Sequence, residues 1–224
     1  MVDFVKIFTK SFSIRNLPFL VFNVKVNTVT GELENFYTAS WKNMKFKSYN
    51  NGWLEIQGSL HKFANDGFHN HDLFDHRRLS LAIQLFCQTL HLDPNQCRLV
   101  NIEFGLNLSW DNPNEVLASL ISHRNEPFNS QHHGYYRECK KDEYYIKCYN
   151  KSQQFNLTRG ILRFEIKFKR TRQISRFEIE SLSDMMSTHW VSPIINELQK
   201  VWCELLFIDR SIIKSNDLYL TSQD

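Results

Sequence analysis

The stretch ILRFEIKFKR, residues 161–170, alternates apolar and polar side chains over most of its length. Successive side chains of a β-strand point to opposite faces, so the two kinds of residue separate onto two sides. The apolar set is Leu162, Phe164, Ile166 and Phe168, and the charged set is Arg163, Glu165, Lys167 and Lys169. This stretch predicts a strand with one face in a hydrophobic core and the other at a polar surface.

Similar β-branched or aromatic segments, partly alternating in polarity, occur through the rest of the chain and predict further strands. The turn Asn50–Asn51–Gly52 predicts a hairpin, because Asn and Gly tolerate positive φ. The predicted strands are residues 4–8, 21–26, 44–49, 53–60, 98–110, the region around Tyr135, and 144–149.

Helical spacing of apolar residues predicts a helix over 78–91, and Pro113 after Asn112 predicts the start of a second. Ser175, with Glu178 three residues on, predicts a capping box, and a last helix is expected at 192–207. We predict one α+β domain over residues 1–224, a mainly antiparallel sheet with flanking helices, with a helical C-terminal part at 175–210.

Composition excludes several classes of protein. With 42% hydrophobic and 23% charged residues among 224, the chain is not a disordered one. No apolar run reaches the roughly 18–20 residues that cross a bilayer, so we expect no membrane segment. Five cysteines without a CxxC spacing favour reduced thiols in the cytoplasm. The phosphate-binding motifs GxxxxGK[ST] and GxGxxG do not occur.

The net charge of +3 conceals an uneven distribution. Residues 137–178 contain twelve Lys or Arg and five acidic residues, so the basic charge is concentrated there. Basic strands with interleaved Tyr and Phe favour a nucleic-acid surface, although an ordinary solvated β-face is the alternative. The predicted DNA-binding residues are Lys140, Lys141, Lys151, Arg163, Lys167, Lys169, Arg170 and Arg172.

Three acidic residues lie on the polar faces of predicted strands: Glu55, Glu103 and Glu165. One such acid is ordinarily solvated, but three on neighbouring strands predict a site for Mg²⁺ or Mn²⁺, which prefer oxygen ligands. His69 and His71 are candidate accessory ligands, and a polar loop is the alternative interpretation of their segment.

The segment EYYIKCYNKS, residues 143–152, places Tyr145, Lys147 and Tyr149 on one strand face. A phenol has a pKa near 10, so it becomes a nucleophile only where a base, metal or cation stabilises the phenolate. Lys147 has the spacing to stabilise that phenolate or a phosphorane. A simple Tyr–Lys pair on an edge strand is the alternative.

Taken in order, five segments resemble the replication initiators of filamentous bacteriophages, the gene II type, and related phage or plasmid initiators of rolling-circle replication. They are LEIQGSLHKF, HNHDLF, NIEFGLNLSW, YYIKCYNKS and GILRFEIKFKRTR, within residues 41–176. Such initiators nick one strand of a supercoiled replication origin, become joined to the new 5′ end through a tyrosine, and later re-ligate the displaced strand.

The resemblance implies a metal-dependent nicking and joining enzyme acting on DNA, with host replication proteins as partners. It implies Tyr145 as the nucleophile with Lys147 beside it, and Tyr149, then Tyr144, as replacements. Glu103 stands where the family usually has aspartate, and Asn101 stands where it has arginine. Glu165 falls on the glutamate of the RFE motif, and Glu55 on the acid before the small-residue turn.

Two other hypotheses stay open at this point. The departures at Glu103 and Asn101 motivate a non-catalytic, origin-binding regulator. A metal-dependent hydrolase that uses His69 and His71 and forms no covalent adduct is the third.

Overall fold

The computed structural model describes residues 2–208 and is built on a nine-stranded antiparallel sheet. The strands of the described part are β1 (Val2–Lys10), β2 (Phe36–Trp41), β3 (Met44–Tyr49), β4 (Trp53–Ser59), β5 (Arg98–Ser109), β6 (Leu120–His123), β7 (Glu126–Pro127), β8 (Asn129–Gln131), β9 (Tyr136–Lys140), β10 (Tyr144–Asn150), β11 (Ile161–Phe168) and β12 (Leu205–Phe207).

Six α-helices flank these strands within the same range. They are α1 (Leu60–Ala64), α2 (His76–Leu90), α3 (Pro113–Ser119), α4 (Lys151–Phe155), α5 (Thr171–Ser175) and α6 (Val191–Cys203). Across residues 2–208, no helix combines the length and the apolar character needed to cross a bilayer.

The large sheet has the strand order β2-β3-β4-β1-β5-β11-β10-β9-β8, and its neighbouring strands pair antiparallel. Strands β12, β6 and β7 form a second, small sheet. The predicted α+β class, a single domain with a mainly antiparallel sheet and flanking helices, is confirmed. The hairpin at Asn50–Asn51–Gly52 joins β3 to β4 as predicted, and Gly52 has a φ of +83°.

One face of the large sheet carries the hydrophobic core. The four apolar side chains of β11 are all buried, as their alternation predicts. Phe164 packs edge-on against Trp202 of α6 with ring centroids 5.2 Å apart, and Phe104 of β5 packs against Trp190 at 5.5 Å. Each fully buried side chain of this size contributes roughly 1.5–3 kcal/mol, so this face fixes the position of every strand around the site.

The opposite face of β11 is closed at its centre, where the sequence predicts a polar surface. Arg163 is only 3% exposed and Glu165 only 2%. Gly105, the partner of Glu165 in β5, provides the space: a Cβ there would lie 2.6 Å from Cγ of Glu165 and 2.8 Å from Nη2 of Arg163. The charged face is therefore a packed ionic layer at this point, because a glycine lets two large side chains lie across the neighbouring strand.

Two N-terminal features differ from the sequence prediction. Residues 21–26 do not form a strand; they make only isolated bridges, Asn23 with Thr38 and Val26 with Leu33. Val21 is 72% exposed and Val26 is 52% exposed, whereas Phe22 packs against the core, so the segment does not bury one continuous face. Strand β2, which the sequence analysis did not predict, takes the place at the edge of the sheet beside β3.

The C-terminal part also departs from its prediction, because residues 175–210 are not one helical region. Ser175 ends α5 and does not cap a following helix, and Glu178 has a φ of +58°, which a right-handed helix does not allow. The last helix ends at Cys203, after which β12 pairs with β6. The remaining positions, 209 and 210, lie outside the described residues.

Candidate functional site

A cavity of about 990 Å³ opens on the charged face of the large sheet, between β4 on one side and β10 on the other. Its polar lining combines acids, amines and phenols, which is the composition of a site for an ionic ligand rather than of a core void. The ionisable residues lining it include Asp3, Lys45, Lys62, Glu103, Tyr135, Tyr136, Lys147, Tyr149, Glu165 and Lys167.

The strand register places the predicted catalytic residues together. In the pairing of β10 with β11, Lys147 lies opposite Glu165 and Tyr149 lies opposite Arg163. In the pairing of β11 with β5, Lys167 lies opposite Glu103. Directly paired residues point to the same face of an antiparallel sheet, so three strands contribute their charged side chains to one cluster.

Glu103 is held by two lysines. Its Oε1 lies 2.8 Å from Nζ of Lys147 and 2.8 Å from Nζ of Lys167. Burial opposes the charge on Lys147, but the charges of Glu103 and Glu165 together outweigh it and raise the pKa of the lysine above its ordinary value. Lys147 therefore stays protonated beside Glu103.

Glu165 and Tyr149 form the part of the cavity with the chemistry of a base and a nucleophile. The hydroxyl of Tyr149 donates to Oε1 of Glu165 at 3.2 Å, and Nε of Arg163 donates to the same oxygen at 2.8 Å. Burial raises the pKa of Glu165, and Arg163 opposes that rise. Burial, followed by the charge of Glu165, raises the pKa of Tyr149 well above 10, so the phenol is neutral at rest.

Asp3 completes the buried ionic layer and was not identified from the sequence. It accepts hydrogen bonds from Ser59 and, at 2.6 Å, from Nδ2 of Asn70, and Nη2 of Arg163 lies 3.9 Å away. Burial disfavours its charge, but Arg163, Lys151 and the two hydrogen bonds prevail and lower its pKa to about 2. Ser59 and Asn70 belong to the segments GSLH and HNHD. These two segments therefore do contribute to the site, but through Ser59 and Asn70 and not through the glutamate and histidines predicted from the sequence.

The histidine loop forms a separate network beside the cavity. The carboxylate of Asp72 lies 2.6 Å from Nε2 of His61 and 2.6 Å from Nη1 of Arg78. His69 and His71, the candidate accessory ligands, stack on each other with ring centroids 4.4 Å apart and planes 21° apart. Neither is among the residues that line the cavity. The loop contacts the central strands β1 and β5 through the hydrogen bonds of Asn70 with Asp3 and of Asn107 with the backbone of His71.

The predicted metal ligands are not arranged as a metal site. Glu103 and Glu165 each already neutralise cations, and Glu55 pairs with Lys6 at 3.0 Å. Glu55 does not line the cavity; it lies two residues along β4 from Gln57, which does, a separation of about 7 Å. Within residues 2–208, no group of three or more His, Cys, Asp or Glu is placed to hold a metal ion. The donor set as it stands does not fit Mg²⁺ or Mn²⁺.

Tyr145, the nucleophile implied by the motif, lies outside the cavity lining. It is on the same face of β10 as Tyr149, between two lysines: Nζ of Lys169 is 4.1 Å from the ring centroid and Nζ of Lys140 is 5.7 Å away. Its surroundings are cationic. Among the hydrogen bonds described for residues 2–208, none joins its hydroxyl to a carboxylate. Tyr149, the first replacement, occupies the cavity.

Comparison with known proteins gives limited information. No family model matches the chain, and no curated protein matches it. Among solved structures, it is similar to the rolling circle replication initiator protein from Geobacillus stearothermophilus at 10% sequence identity and a TM-score of 0.47. That similarity covers 98% of this chain and 90% of the other. At this level the likeness assigns no function, which has to be argued from the site.

The eight predicted DNA-binding residues divide into two groups. Lys151 is fully buried and Arg163 is 3% exposed, so neither presents its charge at the surface, and the prediction is corrected for both. The other six are half-buried or exposed: Lys140, Lys141, Lys167, Lys169, Arg170 and Arg172. Several of these also have acidic partners; Lys140 pairs with Glu138 at 3.2 Å.

Lys151 is the least satisfied group in the site region. Its Nζ is buried and has no hydrogen-bond partner within the described structure. Burial, followed by repulsion from Arg163, lowers the pKa of Lys151 to about 8. A buried ammonium without a partner is expensive, so this residue carries a large part of the free-energy cost of building the ionic layer.

Proposed function

We propose that this protein is a replication initiator of the rolling-circle type, which nicks and rejoins one DNA strand through a 5′-phosphotyrosyl intermediate. The observation that carries the proposal is the hydrogen bond from Tyr149 to Glu165 inside a cavity with lysines at its rim. The ordered motifs within residues 41–176 support the same reaction class. A replication origin, as single-stranded or supercoiled duplex DNA, is the proposed substrate.

The cavity suits a phosphodiester. Lys45 and Lys62 line it, and none of the ion pairs described for residues 2–208 involves either of them. Lys147 and Lys167 lie deeper, beside Glu103. Unpaired rim cations attract the phosphate, and the inner cations stabilise the charge that builds up on it during transfer.

The reaction needs two proton transfers and one in-line displacement. Tyr149 gives its proton to Glu165, whose raised pKa makes it a better acceptor than a solvated glutamate. The phenolate oxygen forms a bond to phosphorus, and the bond from phosphorus to the 3′ oxygen breaks. The released 3′ oxygen takes up a proton and becomes a free 3′-OH. The phosphotyrosyl ester retains the energy of the original bond, so religation needs no ATP.

Charged groups in this cavity account for a substantial part of the proposed rate enhancement. Removing one well-placed stabilising group costs about 3 kcal/mol of transition-state stabilisation in comparable sites. Lys147 is the strongest candidate for that role, since Glu103 keeps it protonated and it lies opposite Glu165.

We expect Tyr149→Phe to abolish covalent DNA attachment, with Tyr145→Phe as the matched control on the same strand face. Single-stranded DNA containing the origin, labelled at its 3′ end, is incubated with each variant and resolved on a denaturing gel. Because the protein is joined to the new 5′ end, the 3′ label stays with the protein and a 5′ label does not. If Tyr149→Phe still attaches DNA covalently and Tyr145→Phe does not, the nucleophile is Tyr145, as the motif implies.

The requirement for Mg²⁺ or Mn²⁺ remains a prediction from the sequence. The same gel, run with the metal and with a chelator, checks it. The residues that would have to bind the ion are Glu103 and Glu165, which would first exchange their lysine and arginine partners.

A DNA-binding regulator without nicking activity is the second candidate. The saturation of Glu103 by Lys147 and Lys167 favours it, because a carboxylate already neutralised by two amines is not free for catalysis. Tight origin binding without an adduct under any metal would support this candidate and contradict the enzyme.

A further inference from the structure

Four aromatic rings form a row on the charged face of the sheet, away from the cavity. Phe36 lies 5.9 Å from Tyr49, Tyr49 lies 6.5 Å from Phe8, and Phe8 lies 5.3 Å from Trp53, measured between centroids. The rings come from β1 to β4, so the row crosses the N-terminal half of the sheet. We call Phe8, Phe36, Tyr49 and Trp53 the aromatic row.

Lysines lie over this row. Nζ of Lys47 is 3.6 Å from the ring centroid of Phe36 and 5.2 Å from that of Tyr49, and Nζ of Lys10 is 4.9 Å from that of Trp53. The acidic neighbour paired with both Phe8 and Lys47 across the strands is Glu55, and Lys6 neutralises it at 3.0 Å. The row therefore presents π-faces together with positive charge.

The row and the cavity share one face of the sheet. Lys45 and Gln57 line the cavity, and Lys47 and Glu55 are the next residues on the same face of β3 and β4. Trp53 is 37% exposed, and a second cavity of about 370 Å³ opens beside Trp53 and Phe8. A chain leaving the first cavity along β4 reaches exposed ring surface without crossing to another side of the molecule.

We propose that the aromatic row is a binding site for unstacked bases of single-stranded DNA, with Lys10 and Lys47 binding the adjoining phosphates. Bases of any sequence stack on aromatic side chains, and lysines follow the backbone. The inference rests on the proposed function, because the DNA that would bind to the row is the strand adjoining the phosphodiester in the cavity. It also moves part of the DNA-binding surface out of residues 137–178.

Structural packing is the competing explanation, because cross-strand aromatic pairs also stabilise sheets. The two explanations differ in what the ligand has to contain. A stacking site needs bases, whereas a packing role makes the affinity for DNA independent of the rings.

The test measures binding of two fluorescent ligands, a single-stranded oligo(dT) and an oligonucleotide of equal length made of abasic sites. Trp53→Leu and Phe36→Leu are each compared with wild type and with Trp110→Leu, which removes a tryptophan of similar exposure, 44%, outside the row. Thermal unfolding confirms that each variant is folded. A Lys47→Gln variant tests the phosphate contact.

We expect each row variant to bind oligo(dT) roughly 5- to 100-fold more weakly than wild type and the abasic ligand equally well. Lys47→Gln should weaken the binding of both ligands, and Trp110→Leu should change neither. Folded row variants that bind oligo(dT) as tightly as wild type would overturn the inference. If the row variants lose oligo(dT) while Tyr149→Phe and wild type alike form no adduct, the base-binding site holds and the nicking function fails.

Discussion

Asp3 shows how one residue ties the site to the stability of the fold. It is 7% exposed and joins Ser59 and Asn70 to the buried Arg163, so it connects β4 and the histidine loop to β11. In the unfolded chain, water does not reproduce this set of contacts around the carboxylate of Asp3. The ionic layer therefore depends on a residue near the start of the chain.

We predict that Asp3→Asn lowers the free energy of unfolding by about 2 kcal/mol at pH 7. The folded pKa of Asp3 is about 2, below its ordinary 3.8, so the stabilisation is complete above pH 4 and is lost as pH falls through 2. Urea unfolding at pH 7 and near pH 2 should show the difference between variant and wild type shrinking in acid. An equal difference at both pH values would contradict the electrostatic origin.

Lys151 is expected to have the opposite effect on stability. Its folded pKa of about 8 lies below the ordinary 10.5, so the charged form costs stability below pH 8, and the cost disappears as pH rises towards 10.5. We predict that Lys151→Met is more stable than wild type by about 3 kcal/mol at pH 7. Thermal unfolding of both proteins from pH 7 to 10.5 should show the gap closing; a gap that stays constant would contradict the prediction.

At the scale of elements, the close approach of β5 and β11 decides the site. The side chains of Arg163 and Glu165 lie over Gly105, where any Cβ would overlap them. The alternating pattern of both strands was evident from the sequence, whereas their pairing with each other was not predicted. Two long side chains can cross over Gly105 only in one register of β5 against β11. The alternation of apolar and polar residues does not specify that register.

We predict that Gly105→Ala lowers stability by about 1–3 kcal/mol and reduces adduct formation more than substrate binding. The added methyl displaces Glu165, which would move the proton acceptor away from Tyr149. Unfolding and the 3′-label assay on the same preparation measure both effects. Wild-type adduct formation in a folded Gly105→Ala variant would show that the position of Glu165 does not matter.

Other elements show why local pattern was insufficient. Ser175 and Glu178 have the residue types and spacing of a capping box. The backbone nevertheless turns at Glu178, and the helix α5 ends at Ser175. The apolar run at 21–26 lacks a partner strand beyond two bridges. In both cases the tertiary contacts of neighbouring segments decided the backbone, because local propensities amount to fractions of a kcal/mol per residue.

For the whole molecule, the sheet has two distinct halves on its charged face. β5, β11 and β10 supply most of the ionic cluster of the cavity, and β1 to β4 supply the aromatic row. The excess positive charge at 137–178 locates only the first half. If both halves contact one strand of DNA, the binding surface is wider than the basic segment predicts.

The sequence alone determined the α+β class, the hairpin, and which face of β11 carries charge, because hydrophobic alternation is a local property. Together with the family resemblance, it predicted one site formed by Lys147, Glu103, Glu165, Glu55 and the nucleophile Tyr145, with Tyr149 as its replacement. Tertiary structure decided which of these groups meet: Glu103 with two lysines, Glu165 with Tyr149 and Arg163, and Asp3 of β1 with Arg163. Burial, which separates Lys151 and Arg163 from the surface lysines, depends on the packing of segments distant in sequence, and no single segment encodes it.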